Sequence, residues 1–285
     1  MWLLFASLNP VSEGFRSVVV KKTSAKTEPI IISWGNYFLP VLLFTPGLFF
    51  IELDLNPTAL IASFISSSIN TLAAVWYIKA ISEGDISEVL PMMSFTPLVL
   101  LITSPIIVGE FPPFLGFVGV LLIVVGSYLI NINFKKRDFL GPFKALIRNR
   151  GTRHMLFVAA IWGISANFDK IAITESSIPQ HVIFMNIFIF TSLTIYLLLI
   201  RKLKWQKIKP VKSNLLAISA FTCCAFIFHM TALSMTYVAY VVALKRMSGP
   251  IAVVLGHFFL KEPNIKARLI GSLVMVAGVA LIVLA

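Results

Sequence analysis

Little in this chain suits it to water. Charged residues make up 13% of its 285 positions, against about 25% in soluble domains, and no polar stretch is long enough to form a separate soluble domain. Carboxylates are scarcest: 12 Asp and Glu stand against 24 Lys and Arg. Cysteine is nearly absent, and Cys223 and Cys224 are adjacent within an apolar run. Neighbours on a helix diverge by about 100°, which disfavours a disulfide between them, and small apolar packing is expected. The four histidines, His154, His181, His229 and His257, have no metal-ligand spacing, and no GxxxxGK[ST] phosphate loop occurs. No paired acid and base suggests catalysis, so the sequence reads as a non-enzyme without cofactor or metal. His229 and His257 are expected to hydrogen-bond between helices.

What is abundant is apolar sequence, 58% of the chain. It falls into ten runs of spanning length, at about 20 residues per 30 Å of hydrocarbon: 2–20, 30–51, 59–79, 89–108, 113–132, 155–173, 181–200, 215–235, 239–259 and 269–285. The first run lacks a basic leader and a small-residue cleavage site, and is expected to be retained. The expected fold is an all-α integral membrane protein of ten transmembrane helices. Its cations are placed by topology. Three follow the first run, seven lie between the fifth and sixth, six follow the seventh and three follow the ninth, whereas the even-numbered loops hold none. The positive-inside rule therefore makes the odd loops cytoplasmic and puts both termini outside. The net charge of +12 reads as topology and contact with anionic membrane lipids, not as a nucleic-acid surface.

The chain also repeats. A shift of 152 residues lays Glu110, Gly119 and Gly126 of EFPPFLGFVGVLLIVVGSYLI on Glu262, Gly271 and Gly278 of EPNIKARLIGSLVMVAGVALI. Residues 1–133 and 154–285 then form two five-span halves, joined by a basic linker over 134–153. Five is odd, so the halves are inverted relative to one another. The glycines, seven apart, are expected to pack a helix closely, and Glu110 and Glu262 to cap a helix or bridge to a neighbouring loop. The fourth span of each half carries helix breakers, Pro91 and Pro97 in one and Gly249 with Pro250 in the other.

Two five-span halves, each with an acidic residue before a glycine-containing last span and proline in its fourth, resemble the EamA-type ten-span members of the drug/metabolite transporter superfamily. The resemblance covers essentially the whole chain. It implies export or exchange of metabolites such as amino acids, nucleotide-sugars or phosphorylated sugars, and leaves the substrate open. Such members usually keep both termini in the cytoplasm. The charge pattern argues the reverse here, so orientation and the direction of transport stay open.

Candidate site residues are the ionisable groups inside the spans, since a charge near the bilayer centre costs at least about 2.5–3.5 kcal/mol unless it faces water, a ligand or a counter-charge. Lys245 and Arg246 stand almost two turns inside the ninth span, and Lys245 would have to snorkel about 9 Å to escape. Arg246 points elsewhere round the helix, so one of the pair is expected to face the cavity. Glu13 and Arg16 are three apart and share a face of the first span. Asp169 needs a partner, for which Lys245 is the candidate, while Lys79 is expected to snorkel and Lys170 either to snorkel or to meet ligand. Trp34, Asn36, Ser67, Asn70, Trp76, Trp162, Asn167, Asn186 and Tyr240 could complete a cavity, the asparagines also serving as inter-helix bonders.

The function expected is secondary transport of a small polar, anionic or zwitterionic metabolite by rocking of the two halves, in a multi-pass protein of the cell (inner) membrane. Protons, through Asp169, Glu13 or a lysine, or a counter-substrate could drive it. A flippase for an amphipathic or lipid-linked substrate and a non-transporting membrane scaffold are the alternatives.

Overall fold

The computed structural model describes residues 1–83, 90–131, 144, 149–248, 250–251 and 265–285. Gly249, His257, Glu262 and most of the 134–153 linker lie outside them. Among the described residues all regular structure is helical. In chain order, α1 is Trp2–Ser24, α2 Pro29–Gly35, α3 Phe38–Phe44 and α4 Pro57–Glu83. Then come α5 (Thr96–Ile107), α6 (Phe114–Asn131), α7 (Arg150–Glu175) and α8 (Ile178–Leu199). The chain ends with α9 (Lys212–Met235), α10 (Val238–Lys245) and α11 (Ile265–Leu284).

Local chemistry fixes the boundaries. Asn56 accepts from Thr58 N at 2.9 Å ahead of α4, Asn149 from Gly151 N at 2.8 Å at the start of α7, and Ser177 from Gln180 N at 3.3 Å at the start of α8. Each satisfies an amide that a helix N-terminus leaves unpaired. Within the helices, hydroxyls turn inward: Thr23, Ser67, Thr71, Thr103, Thr174, Thr194 and Thr222 all donate to the carbonyl four residues back. That is where a hydroxyl finds an acceptor when no water is at hand.

Among the described residues, five helical segments have the length and apolarity to cross a bilayer: Pro29–Phe49, Pro57–Tyr77, Arg150–Glu175, Ile178–Leu199 and Trp205–Met235. Met92–Ile107, Phe114–Leu129 and Ile270–Leu284 are shorter apolar helices. Large apolar side chains face outward, among them Phe49, Phe50, Ile106 and Phe114, a surface suited to lipid. Ile31, Ile189, Leu193, Leu197, Ile218 and Leu233 fill the interior. Cys223 and Cys224 are both free thiols.

Three helix pairs pack most extensively: α1 on α9, α4 on α7 and α6 on α11. The last seam rests on glycine. A Cβ on Gly278 would lie 2.6 Å from the Gly119 carbonyl oxygen, and one on Gly126 would lie 2.6 Å from that of Gly271. Backbone occupies the space a side chain would need, which is the close packing expected of these glycines. Gly119 faces Gly278 while Gly126 faces Gly271, so α6 and α11 run antiparallel.

Among the described residues, three of the expected spans are interrupted. In the fourth, a 3₁₀ turn at Leu90–Phe95 precedes α5. Pro97 cannot donate to the Met93 carbonyl, which instead accepts from Thr96 Oγ1 at 3.0 Å. In the ninth, α10 stops at Lys245, ahead of the Gly249-Pro250 pair, and Arg246 N and Met247 N bond the carbonyls of Ala243 and Leu244 at 2.9 Å in a tightened turn. The second span was expected to be continuous and is not: α2 ends at Gly35 and α3 begins at Phe38. Pro40 explains the difference, because its missing N–H would have bonded the Asn36 carbonyl.

Candidate functional site

Two of these interruptions and the middle of α1 meet in one charged cluster. Glu13 is 8% exposed and stands on α1 one turn before Arg16. Its Oε2 accepts from Arg16 Nη2, while its Oε1 lies 4.0 Å from Lys245 Nζ. Arg16 Nη1 donates to Asn36 Oδ1 at 3.3 Å, and that oxygen also accepts from Thr222 Oγ1 of α9. The Asn36 carbonyl freed by Pro40 accepts from Ser219 Oγ at 3.2 Å, and Ser219 Oγ in turn accepts from Leu39 N at 2.7 Å. Two hydroxyls of α9 thus mend the α2/α3 break and hold Asn36 against Arg16.

Pro250 likewise deprives the Arg246 carbonyl of its donor, so Lys245 and Arg246 occupy a helix C-terminus, where free carbonyls favour cations. Arg246 lies within electrostatic reach of Glu13, and among the described residues its buried Nε has no hydrogen-bond partner. Three cations therefore share one carboxylate, an excess of two positive charges. The cluster is not sealed: the Lys245 side chain is 35% exposed and that of Arg16 27%. Glu13 lies about 16 Å along its helix from Trp2, and Lys245 about 10 Å from Val238, at 1.5 Å per residue.

Asp169 does not pair with Lys245 as the sequence led one to expect. Its Oδ1 accepts from Ser66 Oγ of α4 and lies 3.1 Å from His181 Nε2 of α8, and His181 Nδ1 is 2.9 Å from Ser63 Oγ. The tertiary pairing wins because α8 folds straight back on α7. Asn70 belongs to this group, donating to Ser165 Oγ at 2.8 Å and to the Ser66 carbonyl at 3.0 Å.

Lys170 neither snorkels nor waits for ligand. It donates to the carbonyls of Leu233 at 2.6 Å and Thr236 at 2.8 Å, and its ammonium is 3.3 Å from Glu110 Oε1. Glu110 Oε2 accepts from Val238 N at 2.7 Å, so this carboxylate both caps α10 and bridges to a cation. Gly109, with φ of +74°, supplies the left-handed turn that presents it.

Other residues expected at a cavity are held by their neighbours. Trp34 donates to Thr194 Oγ1 at 2.9 Å and stacks on Phe190. Trp162 lies against Tyr77 in a separate apolar cluster. Asn167 bonds Thr103 and Ser104 of α5. Asn186 is fully buried and donates to the Val182 carbonyl of its own helix. The Tyr240 hydroxyl is pressed against Gly116, in the space a side chain there would fill. Among the described residues the buried Nδ1 of His229, expected to bond between helices, has no partner. Lys79 sits over the Trp76 ring, 5.1 Å from its centroid. Of the expected site residues, the fold gathers Glu13, Arg16, Asn36, Lys245 and Arg246 into one place and Asp169 with Asn70 into another. It adds Thr222, Ser219, His181, Ser63, Ser66 and Ser165.

A family model described as "EamA-like transporter family" matches residues 1–132 and again residues 151–284. The chain belongs to the EamA-like transporter family. It is therefore a multi-pass membrane protein and a transporter of the drug/metabolite superfamily, which implies a small-molecule substrate and a lipid environment. That family is not an enzymatic one. No curated protein matches the sequence. Among solved structures 28 chains match. One of them, a crystal structure, superposes with a TM-score of 0.77 at 14% identity, covering 99% of this chain and 97% of its own. At that identity the likeness is one of fold.

Proposed function

We propose that this EamA-like protein is a secondary transporter of a small polar solute with an anionic group. It crosses the cell (inner) membrane ten times as two inverted halves, residues 1–133 and 154–285 joined by 134–153, and works by alternating access between them. The packing supports the halves. The 152-residue shift turns α1 into the greater part of α7 and α4 into that of α9, so the α1–α9 and α4–α7 pairs become the same contact made twice. It likewise exchanges the Gly119–Gly278 and Gly126–Gly271 contacts. Inverted repeats place their site near mid-membrane, often at interrupted helices.

The observation that carries the substrate class is the Glu13 cluster. Three cations around one carboxylate leave positive charge at the C-terminus of α10, partly open and about 10 Å along that helix from its start. An anionic solute would supply the missing counter-charge, with Lys245 as its main partner and Arg16 or Arg246 offering a planar fork. Cytoplasmic odd loops follow from their cations.

A thermal-unfolding screen of purified protein against carboxylates, phosphates, neutral polar solutes and organic cations tests this. A solute bound only by the folded state at 100 times its Kd adds about 2.7 kcal/mol of apparent stability. Stabilisation by anionic solutes that disappears in Lys245→Met is expected. Stabilisation confined to cations or neutral solutes would overturn the assignment.

A further inference from the structure

We propose that Asp169 and His181 together form a binding site for a single proton, through which transport is driven; the driving role rests on the carrier reading above, whereas the site itself does not. The geometry singles this pair out. Asp169 is 6% exposed, and among the described residues its ion-pair partner is His181. A carboxylate so placed is costly to keep charged unless a proton on it or on its neighbour balances it. Nothing similar burdens Glu13, which has three cations at hand.

The surroundings can hold that proton or release it. With Nε2 of His181 donating to Asp169, Nδ1 accepts from the Ser63 hydroxyl. When one proton is added, Nδ1 becomes a donor and the Ser63 hydroxyl turns to accept. The pair goes from a net charge of −1 to zero, and the Nε2–Asp169 contact is kept. Ser66 supports the carboxylate in both states, itself held by Ser165 and Asn70. Access is one-sided: the His181 side chain is fully covered, whereas that of Asp169 keeps 9% of its surface. The proton therefore enters by way of Asp169.

The groups around the pair fit this role. On α7 itself Lys170 is engaged elsewhere, by Glu110 and two carbonyls. From α4 come the hydroxyls and amide already named, from α5 the neutral partners of Asn167. Across the interior the charge of Asp169 reaches Lys245 of α10, His229 of α9 and Tyr37 between α2 and α3, and Tyr37 also senses Glu13 and Arg16 of α1. Neutralising Asp169 thus leaves the field at Lys245 more positive. Proton uptake favours an anion at Lys245, and by linkage an anion favours the proton.

Nuclear magnetic resonance of ¹⁵N-histidine and ¹³C-aspartate protein in micelles, with no solute added, tests the site. His181→Gln and Asp169→Asn assign the signals. The expected result is one shared titration step, seen at the same pH by the His181 ring and the Asp169 carboxyl, and lost from the ring in Asp169→Asn. Should Asp169→Asn not fold, Ser63→Ala removes only the Nδ1 partner and must shift the midpoint of that step. A ring that does not titrate between about pH 4 and about pH 9, or one that titrates unchanged in both variants, overturns the proposal. Since no solute is involved, a protein that titrates as expected yet carries nothing would refute the carrier reading alone.

Discussion

Replacing Gly278 by alanine sets two effects of opposite sign against each other. Alanine is the better helix former by about 1 kcal/mol, so a glycine facing lipid would gain from the change. In this structure the new Cβ would stand 2.6 Å from the Gly119 oxygen, 0.8 Å inside the 3.4 Å at which ordinary contact begins, with Ile123 Cγ1 at 2.8 Å. Both are held on a packed helix, so α6 and α11 must move apart. A gap of 0.5–1 Å forfeits about a quarter to a half of each dispersion contact it opens, and overpacking of this kind costs about 1–3 kcal/mol. The steric loss exceeds the propensity gain, and Gly278→Ala is expected to lose about 1 kcal/mol net. Gly119→Ala meets the same seam from the other side, since its Cβ would lie 2.7 Å from the Gly278 oxygen. Once the helices have separated for one alanine, the second adds mainly its helix-forming gain. The double variant should thus be no less stable than either single one. Unfolding in mixed micelles titrated with sodium dodecyl sulfate, followed by circular dichroism, gives all four stabilities. A single variant about 1 kcal/mol more stable than the parent, or two losses that simply add, would refute the packing described.

Other perturbations test separate parts of the account. Lys170→Met leaves the Leu233 and Thr236 carbonyls and one oxygen of Glu110 without their cation, and should cost about 3 kcal/mol. Glu110→Gln in the same chain should recover part of that loss in a double-variant cycle. Glu28, outside the spans, pairs with Lys202 at 2.7 Å and with Lys207. Hydrogen bonds from Lys202 first and Lys207 second hold its carboxyl below the ordinary 4.5. A carboxyl lowered by folding stabilises above its unfolded value, and that stability fades as pH falls through the lowered one. Wild type should therefore lose its advantage over Glu28→Gln below pH 4.5, an advantage of less than about 1 kcal/mol because the pair is partly solvated.

The sequence exposes features whose partners are local. Glu13 and Arg16 share a helix face by spacing alone, and their pairing is found. The glycines seven apart announce a close seam, although only the fold shows Gly119 meeting Gly278 rather than its equivalent, Gly271. The break at Asn36 was missed because Pro40 sits in an apolar run, yet the rule that proline strips the carbonyl four residues back was available to find it. His181 was missed for another reason. It stands 12 residues from Asp169, across a helical hairpin whose register no periodicity reveals. A fainter signal was present: Ser63, Ser66 and Asn70 fall on one face of α4, a polar stripe that needs polar neighbours. Tyr240 and Asn186 look like cavity residues by type, and the sequence gives no sign that both are buried against neighbouring helices.

The central claim is that Lys245 supplies the counter-charge for an anionic solute. Uptake into proteoliposomes of whichever anion stabilises the purified protein, compared between wild type and Lys245→Met at equal reconstitution, tests it most directly. Loss of one hydrogen-bonded charge contact is worth about 1.5–3 kcal/mol, so uptake at low solute should fall at least about tenfold while Lys245→Arg keeps part of it. Uptake by Lys245→Met at the wild-type rate would contradict the account.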